Sequence, residues 1–306
     1  MKSPCLHSDL EEIPQEDSSA HDIVQFGRPL WGSLWAADTE SDTHTKFYEI
    51  ISLAKTKLLG GVSNWDKIND QKKKFAALAI IACTAVLYVS PASSIAPELV
   101  KSHMATLIAI DKVHKNYIIT YPSEPVLSEA ALKLMSERDI WYELLKELDL
   151  TFRSGGILDA GSQGELTVRL LLFNSWCNLV TTKKLNNSRV CISCTSWLLF
   201  LFVIYLPHYY YFYIQVAFSS RFSVIDFLEE LFGERFSKQK FSYLTNFEMG
   251  FTHFIPVTYV PDKEDLTEIY KRRGAILCKR NQKGVDLIIP IYEKESGKIG
   301  TILIQV

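Results

Sequence analysis

Charge of one sign is what this 306-residue sequence most lacks: 33 Lys and Arg stand against 35 Asp and Glu, a formal net charge of −2. That balance excludes the overall basicity of a chain that coats nucleic acid through its whole surface. Cysteine is scarce too, with six in the chain, too few for a disulfide framework at this length. Cys191-x-x-Cys194 is half of a zinc spacing, but no second pair follows; His208 stands alone and His253 is far away. The first 25 residues are polar and acidic, so they do not read as a signal peptide. No G-x-S-x-G, H-E-x-x-H, G-x-G-x-x-G or G-x-x-x-x-G-K-[ST] occurs, which leaves no recognisable nucleotide site or hydrolase elbow. His103, His114 and His253 have no partner spacing and read as ordinary polar or core residues. No internal repeat is present.

What is present is enough apolar matter for a core, 47% hydrophobic with 22% charged. Residues 1–25 hold few large apolar side chains and are expected to be a disordered acidic tail. From residue 26 the period becomes helical. Phe47, Ile50, Ile51, Ala54 and Leu58 fall on one face, closed by Gly60-Gly61. Further helices are expected over 72–88, 96–107, 128–137 with Ser128 as cap, and 139–148. The small-residue stretch from Gly155 to Gly164 reads as a loop and a domain boundary, followed by an apolar helix over 165–180.

The second half changes period. Strands are expected at 254–260, 275–279, 285–292 and 300–306, with helices at 224–232 and 264–272 and a polar hairpin turn over 293–298. The expected fold is α/β (α+β overall): a helical domain at 26–150, then a mixed sheet flanked by helices at 157–306. An apolar insert at about 190–220 interrupts it. This run of about thirty uncharged residues exceeds the roughly twenty that span a bilayer. Lys183, Lys184 and Arg189 precede it, which would leave its N-terminal side in the cytoplasm. Pro207-His208 and the crowded tyrosines at 209–211 and 213 weaken that reading. Three readings stay open: non-coding sequence carried into the translation, a membrane helix over 194–218, and a buried core helix. The first implies an intracellular protein of nucleus or cytoplasm, the second a membrane protein.

The chemistry-bearing residues lie in the sheet half. Asp286, at the head of one strand, and Gln305, at the end of the next, are candidate oxygen ligands for Mg²⁺, with Glu165 on the preceding helix as a third. Strand alternation would put a lysine two residues after Gln305 on the same face, and the sequence ends one residue earlier, at Val306. The plainer alternatives are a helix pair between Glu165 and Arg169, a turn residue at Asp286 and a polar strand residue at Gln305. Lys271, Arg272, Arg273, Lys279, Arg280 and Lys283 form a cationic stretch without an acid, a candidate nucleic-acid contact or else a solvated helix end and loop. Phe247, Phe251 and Phe254 read as core rather than as base-stacking platforms.

At Phe26-Gly27-Arg28-Pro29-Leu30-Trp31, at Gly155-Gly156-Ile157 through Gly164-Glu165-Leu166, and at Arg273-Gly274-Ala275 through Ile304-Gln305-Val306, the chain resembles a fungal family related to Crinkler-type proteins. In these a P-loop NTPase region precedes a PD-(D/E)xK restriction-endonuclease-like domain. The resemblance implies that residues 26–150 are the helical end of the NTPase region, and that Glu165, Asp286 and Gln305 map to the nuclease motif. It also implies an ancestral metal-dependent hydrolysis of nucleic acid. The missing nucleotide-binding loop and motif lysine imply an inactive remnant. Two rival expectations are a single-pass membrane protein with an α/β interaction domain and a nucleic-acid-binding pseudoenzyme.

Overall fold

The computed structural model describes residues 20–91, 93–111, 116–153, 160–192, 221–233, 236, 238–279 and 284–306. The architecture is mixed α/β. Helices α1 (Ala20–Gln25), α2 (Pro29–Ala37), α3 (Thr43–Leu58), α4 (Asp70–Ala85) and α5 (Ile95–Ser102) lead into a hairpin of β1 (Thr106–Ile110) and β2 (Tyr117–Thr120). Then come α6 (Pro125–Met135), α7 (Arg138–Arg153) and the long α8 (Ala160–Ile192). The sheet half holds β3 (Phe222–Ser223), α9 (Val224–Phe232), β4 (Phe247–Met249), β5 (His253–Pro256), α10 (Lys263–Lys271), β6 (Gly274–Leu277), β7 (Leu287–Glu293) and β8 (Lys298–Ile304).

Local chemistry fixes the helix ends. Asp42 caps α3 by accepting from the backbone N–H groups of His44 and Thr45, and Asn69 caps α4 through Gln71. The apolar face of α3 is the one its period indicates: Phe47, Ile50, Ile51, Ala54 and Leu58 are all buried. Gly60 and Gly61 close the helix at φ +72° and +93°, with Gly61 N–H donating to Thr56 O. Helix α4 is buried continuously from Ala76 to Ala85 and lies against α6 and α7.

The large sheet is mixed. β7 is its spine: β8 runs antiparallel along one whole edge, while β6 and β4 share the other, pairing at Leu287–Ile288 and at Ile291–Glu293. β5 is parallel to β6, and β3 is antiparallel to β4. Alternation along β7 separates two apolar layers. Leu287, Ile289 and Ile291 join the main core, and Ile288 joins a smaller cluster with Val257, Ile269, Ile276 and Cys278 under α10. The main core is one cluster running from Ile23 through the helices to β7, so the helical half and the sheet half share it. Its centre is aromatic, with Phe173 and Trp176 of α8 against Phe251.

Four local expectations need correcting. Residues 20–25 form α1 with Ile23 and Val24 buried, because two adjacent apolar side chains anchor one turn of an otherwise acidic segment; residues 1–19 lie outside the described residues. The helix expected over 96–107 stops at Ser102, and the β-branched run after it is β1. Ser128 is an interior residue of α6, whose Oγ donates to Cys83 O and Glu124 O, and the helix starts at Pro125. Helix α8 continues past residue 180 to Ile192. The apolar run at 193–220, Cys194 and His208 with it, and the loop at 154–159 lie outside the described residues. Among the described residues no helix is long and apolar enough to cross a membrane.

Candidate functional site

Two of the three candidate ligands, Asp286 and Gln305, lie at the open end of the β7–β8 hairpin. The ladder ends at the pair Leu287–Ile304, and Asp286 and Gln305 are the residues just beyond it on the two strands. Asp286 N–H donates to Ile304 O at 2.9 Å, and Asp286 O accepts from Cys278 N at 2.9 Å. Its carboxylate Oδ2 accepts from the backbone N–H of Val306 at 2.7 Å, holding the end of β8 against the head of β7. Gln305 is exposed. The Cys278 thiol beside this carboxylate is pushed up, by burial first and then by the charge of Asp286.

Glu165 is placed otherwise. It lies on α8, which packs through Phe173 against Phe251 and Phe254, on the side of the main core. Asp286 continues the β6–β7 register opposite Cys278, which belongs with Ile288 to the cluster under α10. The Glu165 carboxylate stands 3.8 Å from Arg169 Nη1, the helix pair at i,i+4. Arg169 is 4% exposed, and its Nη2 donates to Val86 O at the C-terminus of α4, at 3.4 Å. Burial lowers its guanidinium to about 10, and Glu165 opposes that shift. Glu165 therefore neutralises a buried cation that ties α8 to α4.

This placement tests the fit of Mg²⁺. A hard cation needs several convergent oxygens. Asp286 and Gln305 lie at the end of the β7–β8 hairpin, and the Glu165 carboxylate is paired with Arg169 on α8. Among the described residues no group of three His, Cys, Asp or Glu side chains is arranged to hold a metal ion.

The cationic stretch divides. Lys271 ends α10 and Lys279 is exposed after β6. Arg272 Nε donates to Glu268 Oε1 at 3.0 Å, and its guanidinium lies over the Phe26 ring at 4.9 Å. Arg273 is 1% exposed, with a left-handed φ of +58° that carries the chain from α10 into β6, so its side chain is interior and forms no part of a surface. Arg280 and Lys283 lie outside the described residues.

A polar cluster that sequence spacing did not signal sits where the halves meet. Ser123, just before α6, has its Oγ 2.7 Å from His253 Nε2 on β5. Thr252 Oγ1 donates to Arg273 O at 3.3 Å and lies 3.0 Å from His253 Nδ1, so Nδ1–H donates to Thr252 and Nε2 accepts from Ser123. Burial, with a smaller contribution from Arg272, lowers the His253 ring to about 3 and keeps it neutral. Next to Ser123, the buried Glu124 accepts from Arg28 Nε at 2.7 Å and from Trp31 Nε1 at 3.0 Å. The Phe26-to-Trp31 motif is thus a structural clasp: Gly27 packs on Glu124, Arg28 and Trp31 bind it, and Pro29 opens α2.

No curated protein and no solved structure matches the chain. A family model described as Domain of unknown function (DUF8736) matches residues 66–197 and 215–306, leaving 198–214, the middle of the apolar run, without a counterpart. The match takes in α4 to α8 and the whole β4-to-β8 sheet, more than half of the sequence, and the chain belongs to the family of that domain of unknown function.

Proposed function

We propose that the chain is a non-hydrolysing, Crinkler-like protein with a PD-(D/E)xK-like sheet, whose ancestral chemistry was metal-dependent phosphodiester hydrolysis of nucleic acid. The support for the ancestry is the β7–β8 hairpin, with Asp286 and Gln305 at its open end, and a carboxylate-bearing helix, α8, in the same core. The observation that carries the loss of chemistry is the pairing of Glu165 with the buried Arg169, which engages that carboxylate on its own helix. A third ligand is then missing where Mg²⁺ would sit, and binding and positioning of a phosphodiester fall to the remaining residues. The test is incubation of the 306-residue chain with single- and double-stranded DNA and RNA in Mg²⁺ or Mn²⁺. We expect no cleavage, including from a version with a lysine appended after Val306. Cleavage that disappears with Asp286→Ala overturns the reading.

A second reading, nucleic-acid binding without chemistry, is favoured by the exposed Lys279 one residue beyond the Cys278–Asp286 pairing, with Lys271 at the end of α10. It requires affinity that falls with salt and with Lys271→Ala and Lys279→Ala together. Binding indifferent to both rejects it. The single-pass membrane alternative rests on residues 194–218 alone; insertion of the chain into vesicles through that run is its test.

A further inference from the structure

The start of α4 and the helix α5 border an open cleft of about 580 Å³. Gln71, Lys72, Lys74 and Phe75 line it from α4, and Glu98 and Lys101 from α5, with Asp70 also in its wall. Among the described residues none of the three lysines is in an ion pair. The two acids of the lining are engaged elsewhere: Asp70 accepts from Lys73 Nζ at 2.9 Å, and Glu98 Oε1 accepts from Ser102 Oγ at 3.0 Å. Phe75 supplies an apolar surface. It is half-buried, its ring centroid 6.3 Å from that of His103, which is itself held by Nδ1 on Leu58 O at 2.8 Å.

Lysines spread over a convex surface are solvated one by one and call for no ligand. Three that line one concavity repel each other, and the low-dielectric walls of a cleft concentrate their field. A phosphate monoester answers that field best. It carries about two negative charges near neutral pH and three acceptor oxygens, so several ammonium groups can bind it at once. A carboxylate brings a single charge. The volume is that of a small-molecule site rather than of a groove that tracks a strand. We propose that this cleft binds a small phosphate monoester, its phosphate held by Lys72, Lys74 and Lys101 and its apolar body resting on Phe75. Helices of the first half form the site, so it stands independently of the reading of the β7–β8 hairpin.

The test is an NMR titration of the full chain with phenyl phosphate, inorganic phosphate and benzyl alcohol. We expect saturable shifts of the amides from Gln71 to Phe75 and from Glu98 to Lys101 with phenyl phosphate, at a dissociation constant on the order of 1 mM. Inorganic phosphate, which lacks the ring, should bind more weakly, and benzyl alcohol, which lacks the charge, should not bind. Lys72→Ala, Lys74→Ala and Lys101→Ala should each raise the constant about fivefold, and the triple variant should abolish saturation. All three lysines are exposed, so the variants should fold. Lys263→Ala, at the exposed start of α10, should change nothing. Phenyl phosphate that produces no saturable shift overturns the proposal. So does weakening by Lys263→Ala equal to that of the cleft variants, the mark of general charge screening, or benzyl alcohol that binds as well as phenyl phosphate. A single-stranded oligonucleotide that fills the cleft far more tightly than phenyl phosphate would make a strand its occupant and overturn it too.

Discussion

Ser123 Oγ lies 2.7 Å from His253 Nε2, a hydrogen bond between residues 130 apart that joins the loop before α6 to β5. The ring is fully buried and donates from Nδ1 to Thr252, so both nitrogens are satisfied without a charge. That bond is a polar link between the helical half and the sheet half, and it makes the junction sensitive to proton concentration.

The sign of that sensitivity follows from the ring's pKa. In the folded chain His253 is lowered to about 3 from 6.5, and His103, buried with Nδ1–H on Leu58 O, is also lowered, chiefly by burial. The unfolded chain therefore takes up protons before the folded one does. Stability is fully present above about pH 6.5 and falls as pH drops toward 3, by about 1.4 kcal/mol per pH unit for His253. Urea unfolding across that range should show the slope, and His253→Gln should flatten it. Ser123→Ala leaves Nε2 buried without a donor and should cost about 1–3 kcal/mol at neutral pH. Unchanged stability would mean that the bond contributes nothing.

Glu124 is a buried carboxylate with two assigned donors, Arg28 and Trp31. Glu124→Gln removes the charge that Arg28 answers, and because Arg28 is a quarter exposed the expected loss is about 2–3 kcal/mol, less than for a fully buried pair. Trp31→Phe keeps the ring packing, strands Glu124 Oε2 and should cost about 1–2 kcal/mol. Gly27→Ala is a third probe. At φ +98° its new methyl would stand 2.6 Å from Glu124 Cγ, and we expect a loss of about 2 kcal/mol. Thermal denaturation of the three variants, with the Glu124→Gln/Trp31→Phe double mutant, measures whether they act as one unit.

The elements legible in the sequence were those whose own period decides their burial. The i, i+3, i+4 run from Phe47 to Leu58 and the alternation of β7 and β8 around a polar turn each name a face without outside information. The hairpin at 106–120 was not legible. Thr106–Ile110 is a short apolar run that continues the pattern of α5, and only the left-handed Met104, φ +66°, breaks the helix before it. At the candidate site, the sequence put Asp286 and Gln305 on successive strands joined by a polar turn, a property of one hairpin. It carried no information on which layer α8 covers, since packing with Phe251 and Phe254 decides that. Arg273 was misleading for a similar reason: a charge in a run of charges shows its sign, and the backbone turn that sends the side chain inward is invisible.

The family match skips residues 198–214 and resumes at 215, ahead of the whole sheet. An element required by the core would be part of what the family shares. Excising 198–214 should therefore leave the cooperative unfolding transition in place and raise the soluble yield, since an uncharged aromatic run of that length favours association. A chain that no longer folds after excision would show that the run is structural. Splice signals flanking it in genomic DNA would identify it as retained non-coding sequence.

Glu165 separates a structural carboxylate from a ligand by the direction of one measurement. A carboxylate kept for metal chemistry sits among other acids, and neutralising it relieves repulsion, so such sites gain stability when they are disabled. Here the neighbour is the guanidinium of Arg169, buried between α8 and the C-terminus of α4. Glu165→Gln leaves that cation with the Val86 carbonyl and little else, and the partial exposure of Glu165 limits the expected loss to about 1–2 kcal/mol. Asp286→Asn acts on a carboxylate held by the Val306 N–H, which an amide oxygen can still accept, so its effect should be smaller. Chemical denaturation with and without Mg²⁺ decides between the roles. Destabilisation by Glu165→Gln that is indifferent to the ion fits the ion pair with Arg169, whereas stabilisation by that substitution, together with lost Mg²⁺ protection, would return Glu165 to a metal site and reverse the reading of an inactive sheet.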